Sequence, residues 1–272
     1  MSCSSAYRLL DVGGTFIKCA DGRQVPIPSD GSREAIAAAL ADAIGPAEGL
    51  DGVGVAIPGP FDYAHGIFLM KHKFSAVYGC SFRNLAHLPE HVELKCHHDV
   101  NALLLGAVRM LGLEKGNTAL VTLGTGLGFA YAVDGRVQYN EMGSPARSLW
   151  NIPLEGGGIL EDRISARGIR AAYVRLTGND RLSVHAIAQR AYGGEESAQE
   201  VFSDLGDRLG MALAGLAGEL DIDTLLVGGQ IAKSLSLMLR PLQNRLEGIR
   251  ILPVPEGAVF EGLSTLFDNE SS

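Results

Sequence analysis

Residues 7–19 read YRLLDVGGTFIKC, an apolar stretch that runs into two glycines and then resumes as a second apolar stretch. Apolar segments on both sides of paired glycines are typical of two antiparallel strands joined by a turn. The pattern returns about 110 residues later, where residues 118–133 read TALVTLGTGLGFAYAV. We therefore expect two similarly built units, each starting with a strand, a glycine turn and a second strand.

Strand-like and helix-like segments alternate through the rest of the chain. Helices are predicted at 33–44 with Ser32 as N-cap, at 100–111, within 160–220, at 232–246 and at 257–267, and further strands at 52–57, 92–96 and 224–229. Residues 68–82, FLMKHKFSAVYGCSF, have no clear period and are predicted to form a loop. This alternation predicts an α/β fold.

The composition excludes several classes of protein. The chain has 272 residues and a net charge of -8, so we expect no nucleic-acid partner. Its cysteines, Cys3, Cys19, Cys80 and Cys96, have no CxxC spacing, which argues against a disulfide scaffold and a local zinc site. A secretion signal and an uninterrupted apolar span are both lacking, so we expect a cytoplasmic protein without a membrane segment.

The first glycine turn has the groups that a phosphate site needs. Gly13 and Gly14 leave backbone amides open to phosphate oxygens, Thr15 adds a hydroxyl, and Asp11 at the strand end could hold a hydrated metal ion. Lys18 on the returning strand joins the predicted phosphate-binding set. An ordinary β-hairpin is the alternative interpretation of the same residues.

Two more glycine turns follow predicted strands. Gly124, Thr125 and Gly126 repeat the first turn, although they lack the GxGxxG spacing of a dinucleotide fold. Gly228 and Gly229 follow TLLV and would let a flat group approach the backbone. Three glycine turns at strand ends together predict a nucleotide site.

Acidic residues supply candidates for catalysis and sugar binding. Asp99 lies between a predicted strand and a predicted helix, where it could be a helix N-cap or a general base that faces a substrate hydroxyl. Glu141, Glu155 and Glu161 lie among glycine and apolar residues, a setting in which carboxylates often accept hydrogen bonds from sugar hydroxyls.

An ordered set of motifs covers nearly the whole chain and resembles the ROK family of bacterial sugar kinases and related repressors. The motifs are DVGGTFIK (11–18), VGVAIPGPFD (53–62), HDVNALLLGA (98–107), LVTLGTGLGFA (120–130), EMGS (141–144), GGILEDRIS (157–165) and LLVGGQI (225–231).

The resemblance implies a two-domain, actin-like (ribonuclease H-like) ATPase fold with a hexose and Mg-ATP in a central cleft. It implies an N-terminal domain at 1–104 and a C-terminal domain at 105–256 that carries the nucleotide turns and the sugar-binding acids. The C-terminal helix, at about 257–272, could pack back onto the first domain.

The resemblance also implies roles for single residues. Asp99 is expected to be the catalytic base, Glu141 and Glu161 to bind sugar hydroxyls, and Asp11 to hold Mg²⁺ through water. Family repressors carry an N-terminal DNA-binding segment, for which the ten residues before Asp11 leave no room, so we expect an enzyme. A homodimer is expected from the resemblance alone.

Three departures from the family pattern concern the sugar site. His98 replaces the Asn that usually precedes the catalytic Asp, and Ser144 replaces a His that contacts sugar. The cysteine-rich zinc segment is replaced by PARSLWNIPLEGG (145–157), so no zinc is expected. The shorter Ser144 predicts spare volume beside Glu141, and glucose is therefore expected to be a poor substrate.

The sequence thus predicts an ATP-dependent kinase that phosphorylates a hydroxyl of a hexose or hexose derivative. Two alternatives stay open at this point. One is a non-catalytic protein that binds sugar or nucleotide, because His98 and Ser144 stand at positions that contact sugar. The other is a sugar kinase that uses polyphosphate as donor.

Overall fold

The computed structural model describes residues 6–268. Its strands are β1 (Tyr7–Val12), β2 (Phe16–Cys19), β3 (Gln24–Pro26), β4 (Gly52–Ile57), β5 (Phe61–Asp62), β6 (Ile67–Phe68), β7 (Glu93–His98), β8 (Thr118–Leu123), β9 (Leu127–Val133), β10 (Arg136–Val137), β11 (Thr224–Gly228) and β12 (Arg250–Pro253). Its α-helices are α1 (Arg33–Ile44), α2 (Phe82–Leu85), α3 (Asp99–Leu111), α4 (Glu161–Ile164), α5 (Ala166–Thr177), α6 (Val184–Tyr192), α7 (Glu196–Glu219), α8 (Leu235–Arg245) and α9 (Ala258–Ser264). Short 3₁₀ helices span Ser75–Val77 and Ile231–Ser234.

The described chain forms two compact units. Unit 1 comprises the described residues up to Gly112, the segment Tyr139–Ala146 and the described residues from Pro255 onward. Unit 2 comprises Leu113–Gln138 and Arg147–Val254.

Each unit is built on a five-stranded sheet, and the two sheets have the same plan. The order is β3-β2-β1-β4-β7 in unit 1 and β10-β9-β8-β11-β12 in unit 2. In both sheets the first three strands are antiparallel and the last three are parallel. The repeated strand, glycine turn and strand pattern of the sequence is confirmed, because it forms the β1/β2 and β8/β9 pairs.

The edge strands β3 and β12 were not predicted. Both are short, and each ends in a proline, Pro26 or Pro253. A proline cannot donate to a sheet ladder, but it is tolerated on an edge strand. Three or four residues with a terminal proline carry too little alternation to stand out in the sequence.

Each unit has its own apolar core. In unit 1, α1 begins at Ser32, whose hydroxyl accepts a hydrogen bond from the Ala35 N–H at 3.3 Å, and ends at Gly45 with a positive φ of 71°. The core of unit 1 packs β1, β4 and α1 around fully buried residues, which include Leu10, Val12, Ile17, Ile36, Leu40, Val53 and Val55. The core of unit 2 includes Val121, Leu123, Phe202, Leu209, Val227, Met238 and Leu242.

The observed division of the chain differs from the predicted boundary after Leu104. That position falls inside α3, which stays whole in unit 1 because a helix is one continuously hydrogen-bonded element. The segment Tyr139–Ala146 also belongs to unit 1, so Glu141 and Ser144 do not lie in the unit that carries Gly124 and Gly228. α9 packs on α3 within unit 1; residues 269–272 of the predicted C-terminal helix lie outside the described residues.

The prediction of a simple loop at residues 68–82 is wrong. The segment contains the end of β6, the 3₁₀ helix Ser75–Val77 and the start of α2. Its large apolar side chains are buried in the core of unit 1, namely Phe68, Met70, Phe74, Val77 and Phe82. Successive short turns bring these side chains inward, and turns leave no regular period in a sequence.

Residues 6–268 contain no helix that is long and apolar enough to cross a membrane. Cys19, Cys80 and Cys96 are free thiols, and Cys3 lies outside the described residues.

Helices α3 and α9 approach so closely that only glycine fits at their contact. A Cβ atom at Gly106 would lie 1.7 Å from the Ala258 carbonyl oxygen, and one at Gly262 would lie 1.9 Å from the Ala102 carbonyl oxygen. Both contacts are with backbone, which cannot give way as a side chain can. The packing of the C-terminal helix therefore depends on two glycines.

We predict that Gly106→Ala destabilises the protein by about 1–3 kcal/mol or more, the usual cost of overpacking a core. The matched control is Gly215→Ala in α7, where a Cβ atom would meet nothing within 4 Å. Alanine is a better helix former than glycine, so the control should gain up to about 1 kcal/mol. Chemical denaturation measures both free energies of unfolding, and equal effects of the two changes would contradict the prediction.

Candidate functional site

The carboxyl ends of the parallel strands in unit 1 carry the predicted catalytic and phosphate-binding residues. Asp11 at the end of β1 pairs in register with Ala56 of β4, and Ile57 of β4 pairs with His98 of β7. Ligands of α/β sheets commonly bind at this edge. The sheet therefore brings Asp11 and the His98-Asp99 pair to the same place. We call this side of the sheet, formed by the carboxyl ends of the parallel strands β1, β4 and β7, the edge of unit 1.

Asp11 is ion-paired with Lys18. The Lys18 Nζ lies 3.2 Å from Asp11 Oδ2, across the β1/β2 hairpin. Burial raises the pKa of Asp11; the ammonium of Lys18 acts in the opposite direction, and the charge of Asp99 adds to the increase. Lys18, predicted to bind phosphate, is thus engaged with the predicted metal-binding carboxylate.

The prediction that the Gly13 amide is open to phosphate is wrong, because the turn after Asp11 uses this amide to close the hairpin. The Gly13 N–H donates to the Phe16 carbonyl oxygen at 3.0 Å, and a Cβ atom at Gly13 would lie 3.0 Å from the same oxygen. Thr15 is exposed at the turn, as a phosphate ligand requires.

The structure places His98, not Asp99, at the N-cap of α3. The Val100 N–H donates to Asp99 Oδ1 at 2.7 Å and lies 3.3 Å from His98 Nδ1. His98 Nδ1 is 2.9 Å from Asp99 Oδ1, a contact in which a protonated Nδ1 donates to the carboxylate. Asp99 is the first residue of the helix and keeps 36% of its side-chain surface exposed.

Hydrogen bonds keep Asp99 ionised. The surrounding protein disfavours the charge, but the hydrogen bond and charge of His98, the Val100 N–H and the charge of Lys73 outweigh this and lower the pKa of Asp99. Asp99 is therefore a carboxylate at neutral pH that a substrate hydroxyl can reach.

The segment Tyr139–Ala146 is attached to the same edge of unit 1. The Tyr139 hydroxyl lies 3.2 Å from His97 Nε2, and the Asn101 side-chain amide donates to the Gly143 carbonyl oxygen at 3.3 Å. Asn101 is fully buried. These contacts bring the exposed Glu141 and the half-buried Ser144 to the edge that carries Asp99.

Tyr63 fills the space beside Ser144. A Cβ atom at Gly59 would lie 3.2 Å from the Tyr63 hydroxyl and 3.6 Å from both Ser144 Oγ and His98 Cδ2, so these side chains meet above Gly59. The Tyr63 hydroxyl donates to the Ile57 carbonyl oxygen at 3.2 Å and is hydrogen-bonded to Ser144. Burial raises the pKa of Tyr63, which keeps its hydroxyl neutral. Tyr63 therefore contacts Ser144, and the spare volume expected beside Glu141 stays a prediction.

In unit 2, Glu161 packs against the second glycine turn. Its Oε2 accepts a hydrogen bond from the Leu127 N–H at 2.9 Å, and a Cβ atom at Gly126 would lie 2.7 Å from that oxygen. The Gly124 carbonyl oxygen accepts from the Ala166 N–H at the start of α5. Gly126 is thus required for the close approach of Glu161.

The third glycine turn lies next to the second. Gly228 pairs with Thr122 of β8, and a Cβ atom at Gly229 would lie 2.3 Å from the Leu123 carbonyl oxygen. Gly229 also has a φ of +87°, a conformation that other residues rarely adopt. Unit 2 therefore brings Gly124–Gly126, Gly228–Gly229 and Glu161 together, with Thr125 exposed at the turn.

Sequence reasoning did not single out Tyr63, Lys73 or Asn101. Tyr63 directly follows the motif VGVAIPGPFD and Asn101 lies within HDVNALLLGA, and only folding shows which neighbours they contact. Glu155 is exposed and contacts none of these groups in the described part of the chain. Between residues 6 and 268 no group of three His, Cys, Asp or Glu side chains is arranged to hold a metal ion; the absence of zinc stays a prediction.

Comparison with known proteins agrees with this arrangement. The sequence model of the ROK family matches residues 9–147, just over half of the chain. The chain belongs to the ROK family. A curated relative, a glucokinase of Halalkalibacterium halodurans, is 28% identical to this ROK protein and aligns with 93% of it and 89% of the relative.

Solved structures share the fold at low identity. A ROK glucokinase from Streptomyces griseus, in complex with glucose and AMPPNP, has a TM-score of 0.75 at 21% identity, covering 94% of this ROK chain and 97% of the other. A provisionally assigned N-acetylmannosamine kinase from Listeria monocytogenes has a TM-score of 0.81 at 17% identity. The match covers 98% of this ROK chain and 99% of the Listeria chain. The predicted family and the α/β, actin-like fold class are confirmed.

One half-buried histidine of this ROK protein, His97, makes its stability depend on pH. Burial and the neighbouring His98 lower the pKa of His97 to about 4. In the unfolded chain the pKa of His97 has its ordinary value of ~6.5. As pH falls, His97 is therefore protonated in the unfolded chain before it is protonated in the folded protein. The contribution of neutral His97 to stability is therefore complete above ~6.5 and is lost as pH falls toward 4.

We predict that His97→Gln weakens the loss of stability between pH 7.5 and 5, because the variant has no imidazole to protonate on unfolding. Urea denaturation at the two pH values measures the difference. His91→Gln, which removes an exposed imidazole, controls for the loss of one histidine. The same pH dependence in wild type and His97→Gln would refute the assignment.

Proposed function

We propose that this ROK protein is a carbohydrate kinase that transfers the γ-phosphoryl group of ATP to a hydroxyl of a hexose or hexose derivative. The observation that carries the proposal is the ionised Asp99, held by His98 at the sheet edge that also carries the Asp11–Thr15 glycine turn. The family assignment and the glucokinase relative support it.

Asp99 is the proposed general base. Its carboxylate is oriented by His98 Nδ1 and the Val100 N–H, which leaves the rest of the carboxylate for a substrate hydroxyl. A lowered pKa makes a weak base, but phosphoryl transfer depends mostly on position and charge, with little demand for strong basicity. Asp99 therefore aligns the hydroxyl and accepts its proton as the oxygen bonds to phosphorus.

Glycine turns are the proposed phosphate and nucleotide ligands. In unit 1 these are Gly14 and Thr15, because the Gly13 N–H already donates to the Phe16 carbonyl oxygen. In unit 2 they are Thr125 and Gly126 for phosphates, because the Gly124 N–H donates to the Gly126 carbonyl oxygen, and Gly228 with Gly229 for the adenosine. The support is the position of these turns at the ends of β8 and β11, because ligands of α/β sheets commonly bind beyond the carboxyl ends of the strands.

Asp11 is the residue that fits a Mg²⁺ ion. It offers a carboxylate oxygen at a strand end, and Mg²⁺ commonly takes one or two carboxylates together with substrate phosphates and water. When bound, the ion supplies positive charge that offsets the charge of the phosphates. Lys18 holds the Asp11 carboxylate in place at 3.2 Å.

His98, Glu141, Ser144 and Glu161 are the proposed sugar ligands. His98 uses Nδ1 on Asp99, which leaves Nε2 for a sugar hydroxyl. Glu141 is exposed and free to accept hydrogen bonds, whereas Ser144 already contacts Tyr63. Tyr63 therefore belongs with the residues proposed to set which sugar fits.

An assay of ADP release over hexoses, amino sugars and N-acetyl sugars tests the kinase proposal. We expect turnover on at least one sugar with ATP, at an ordinary kcat of order 1 s⁻¹ or higher. The same panel with polyphosphate tests the other donor. Absence of turnover with both donors, in protein that binds sugar or nucleotide by calorimetry, would favour a non-catalytic binding protein.

Asp99→Asn tests the base within that assay. The amide keeps the shape of the side chain but accepts no proton, so kcat should fall by about 10²-fold or more. Nucleotide binding, measured by calorimetry, should persist. Turnover like that of wild type would remove Asp99 from the mechanism.

Sugar choice should depend on the Tyr63-Ser144 contact. We predict that glucose is a poor substrate, and that Ser144→His improves kcat/KM for glucose only together with Tyr63→Ala, because Tyr63 occupies the space that the imidazole needs. Steady-state kinetics of the single and double variants measure this. A best kcat/KM for glucose in wild type would contradict the prediction.

A further inference from the structure

Lys73 lies on an anchored part of the segment that follows β6. Phe74, the next residue, is fully buried and has a positive φ of 54°, and its N–H donates to the Ser29 carbonyl oxygen at 2.7 Å. Met70 and Val77 on either side are also fully buried. The backbone at Lys73 is therefore held in place by the core of unit 1.

The side chain of Lys73 lies over the first glycine turn. A Cβ atom at Gly14 would be 3.5 Å from Lys73 Nζ and 3.6 Å from its Cδ and Cε atoms. Lys73 also acts on Asp99, since its charge is among the causes that lower the pKa of that carboxyl. One ammonium group thus lies beside the proposed phosphate turn, and its charge acts on the proposed base.

The ammonium of Lys73 has no ion-pair partner in the described part of the chain. Between residues 6 and 268 no carboxylate lies within ion-pair distance of Lys73, although the side chain is half-buried. Lys18 differs, because its Nζ is 3.2 Å from Asp11 Oδ2. A half-buried cation with no ion-pair partner beside a phosphate-binding turn is suited to an anionic ligand.

We propose that Lys73 is a catalytic residue that contacts the phosphoryl group while it passes from ATP to the sugar hydroxyl. The proposal rests on the proposed kinase function and adds a residue to it. The sugar oxygen forms a bond to the γ-phosphorus, the bond from that phosphorus to the bridging oxygen of ADP breaks, and the hydroxyl proton passes to Asp99. ADP and the phosphorylated sugar are the products.

A cation at this position answers a specific electrostatic need. The base is an anion, and the phosphoryl group that approaches it is also negative, with charge spread over its equatorial oxygens. An ammonium already in position stabilises that charge without reorganisation at the moment of reaction. Lys73 lies beside Gly14 and its charge acts on Asp99, so it meets this need.

Lysine labelling tests the contact without relying on turnover. Acetic anhydride is applied to the protein alone, with ADP, with the best sugar of the panel, and with ADP, aluminium fluoride and that sugar, which together mimic the transferring phosphoryl group. We expect Lys73 to be protected in the last mixture, while Lys71, exposed two residues away, is labelled throughout. Mass spectrometry reports both sites. Equal labelling of Lys73 in all mixtures, or protection by sugar alone, would overturn the proposal.

Two matched variants test the chemical role. Lys73→Met should lower kcat by about 10²–10³-fold, the range for loss of one preorganised donor to a developing charge, with the KM for sugar little changed. In wild type, aluminium fluoride is expected to increase the affinity for ADP, and Lys73→Met should abolish this increase. Lys73→Arg should restore part of kcat and part of the increase in ADP affinity. Lys71→Met, whose Nζ lies 5.3 Å from the Tyr78 ring centroid, should behave like wild type.

The outcomes separate this inference from the proposed function. Turnover by wild type and Lys71→Met, together with an equally active Lys73→Met that folds by circular dichroism, would refute the role of Lys73 alone. If wild type turns over no sugar with any donor, the kinase proposal fails. In that case, acetylation of Lys73 is measured with ADP and aluminium fluoride in the absence of sugar. Protection of Lys73 would show that it contacts a bound phosphate analogue, and full labelling would refute the contact.

Discussion

Asp11 and Asp99 place two carboxylates at the same edge of the unit 1 sheet, and each carboxylate requires a compensating group beside it. Burial raises the pKa of Asp11, Lys18 acts in the opposite direction, and the charge of Asp99 adds to the increase. Positive or donating groups compensate for each acid, Lys18 for Asp11 and His98 for Asp99. Lys73 contributes to the ionisation of Asp99 as well. The cations around this edge therefore favour the charged form of both carboxylates, against the burial that disfavours it.

Steric constraints have the corresponding role in unit 2. Gly126 lets Glu161 accept a hydrogen bond from the Leu127 N–H, and Gly229 lets β11 end against Leu123 of β8. A side chain at either glycine would overlap atoms that form the turn. The two units share one sheet plan, and in both of them a glycine turn follows the first strand. Asp11 lies at the turn of unit 1, and Glu161 packs against the turn of unit 2.

Short-range patterns were enough to predict many parts of this protein. The paired glycines after apolar stretches predicted the β1/β2 and β8/β9 pairs, and Ser32 with Gly45 predicted the ends of α1. Residues 68–82 could not be predicted in the same way, because their buried side chains come from successive turns. For the same reason Lys73 could not be recognised beside Gly14, since the chain between them carries no motif that indicates their contact.

The sequence by itself determined the fold class, the family and the glycine turns, because strand and turn preferences are local and the ROK motifs keep their order along the chain. The tertiary structure decided which acids belong to which unit and which side chains meet them. Glu141 and Ser144 join unit 1 through contacts of their segment with His97 and Asn101. Tyr63 follows β4 and Ser144 lies on the segment Tyr139–Ala146, and the two side chains meet over Gly59. Contacts between residues far apart in sequence form only when a whole unit packs, so no local pattern records them.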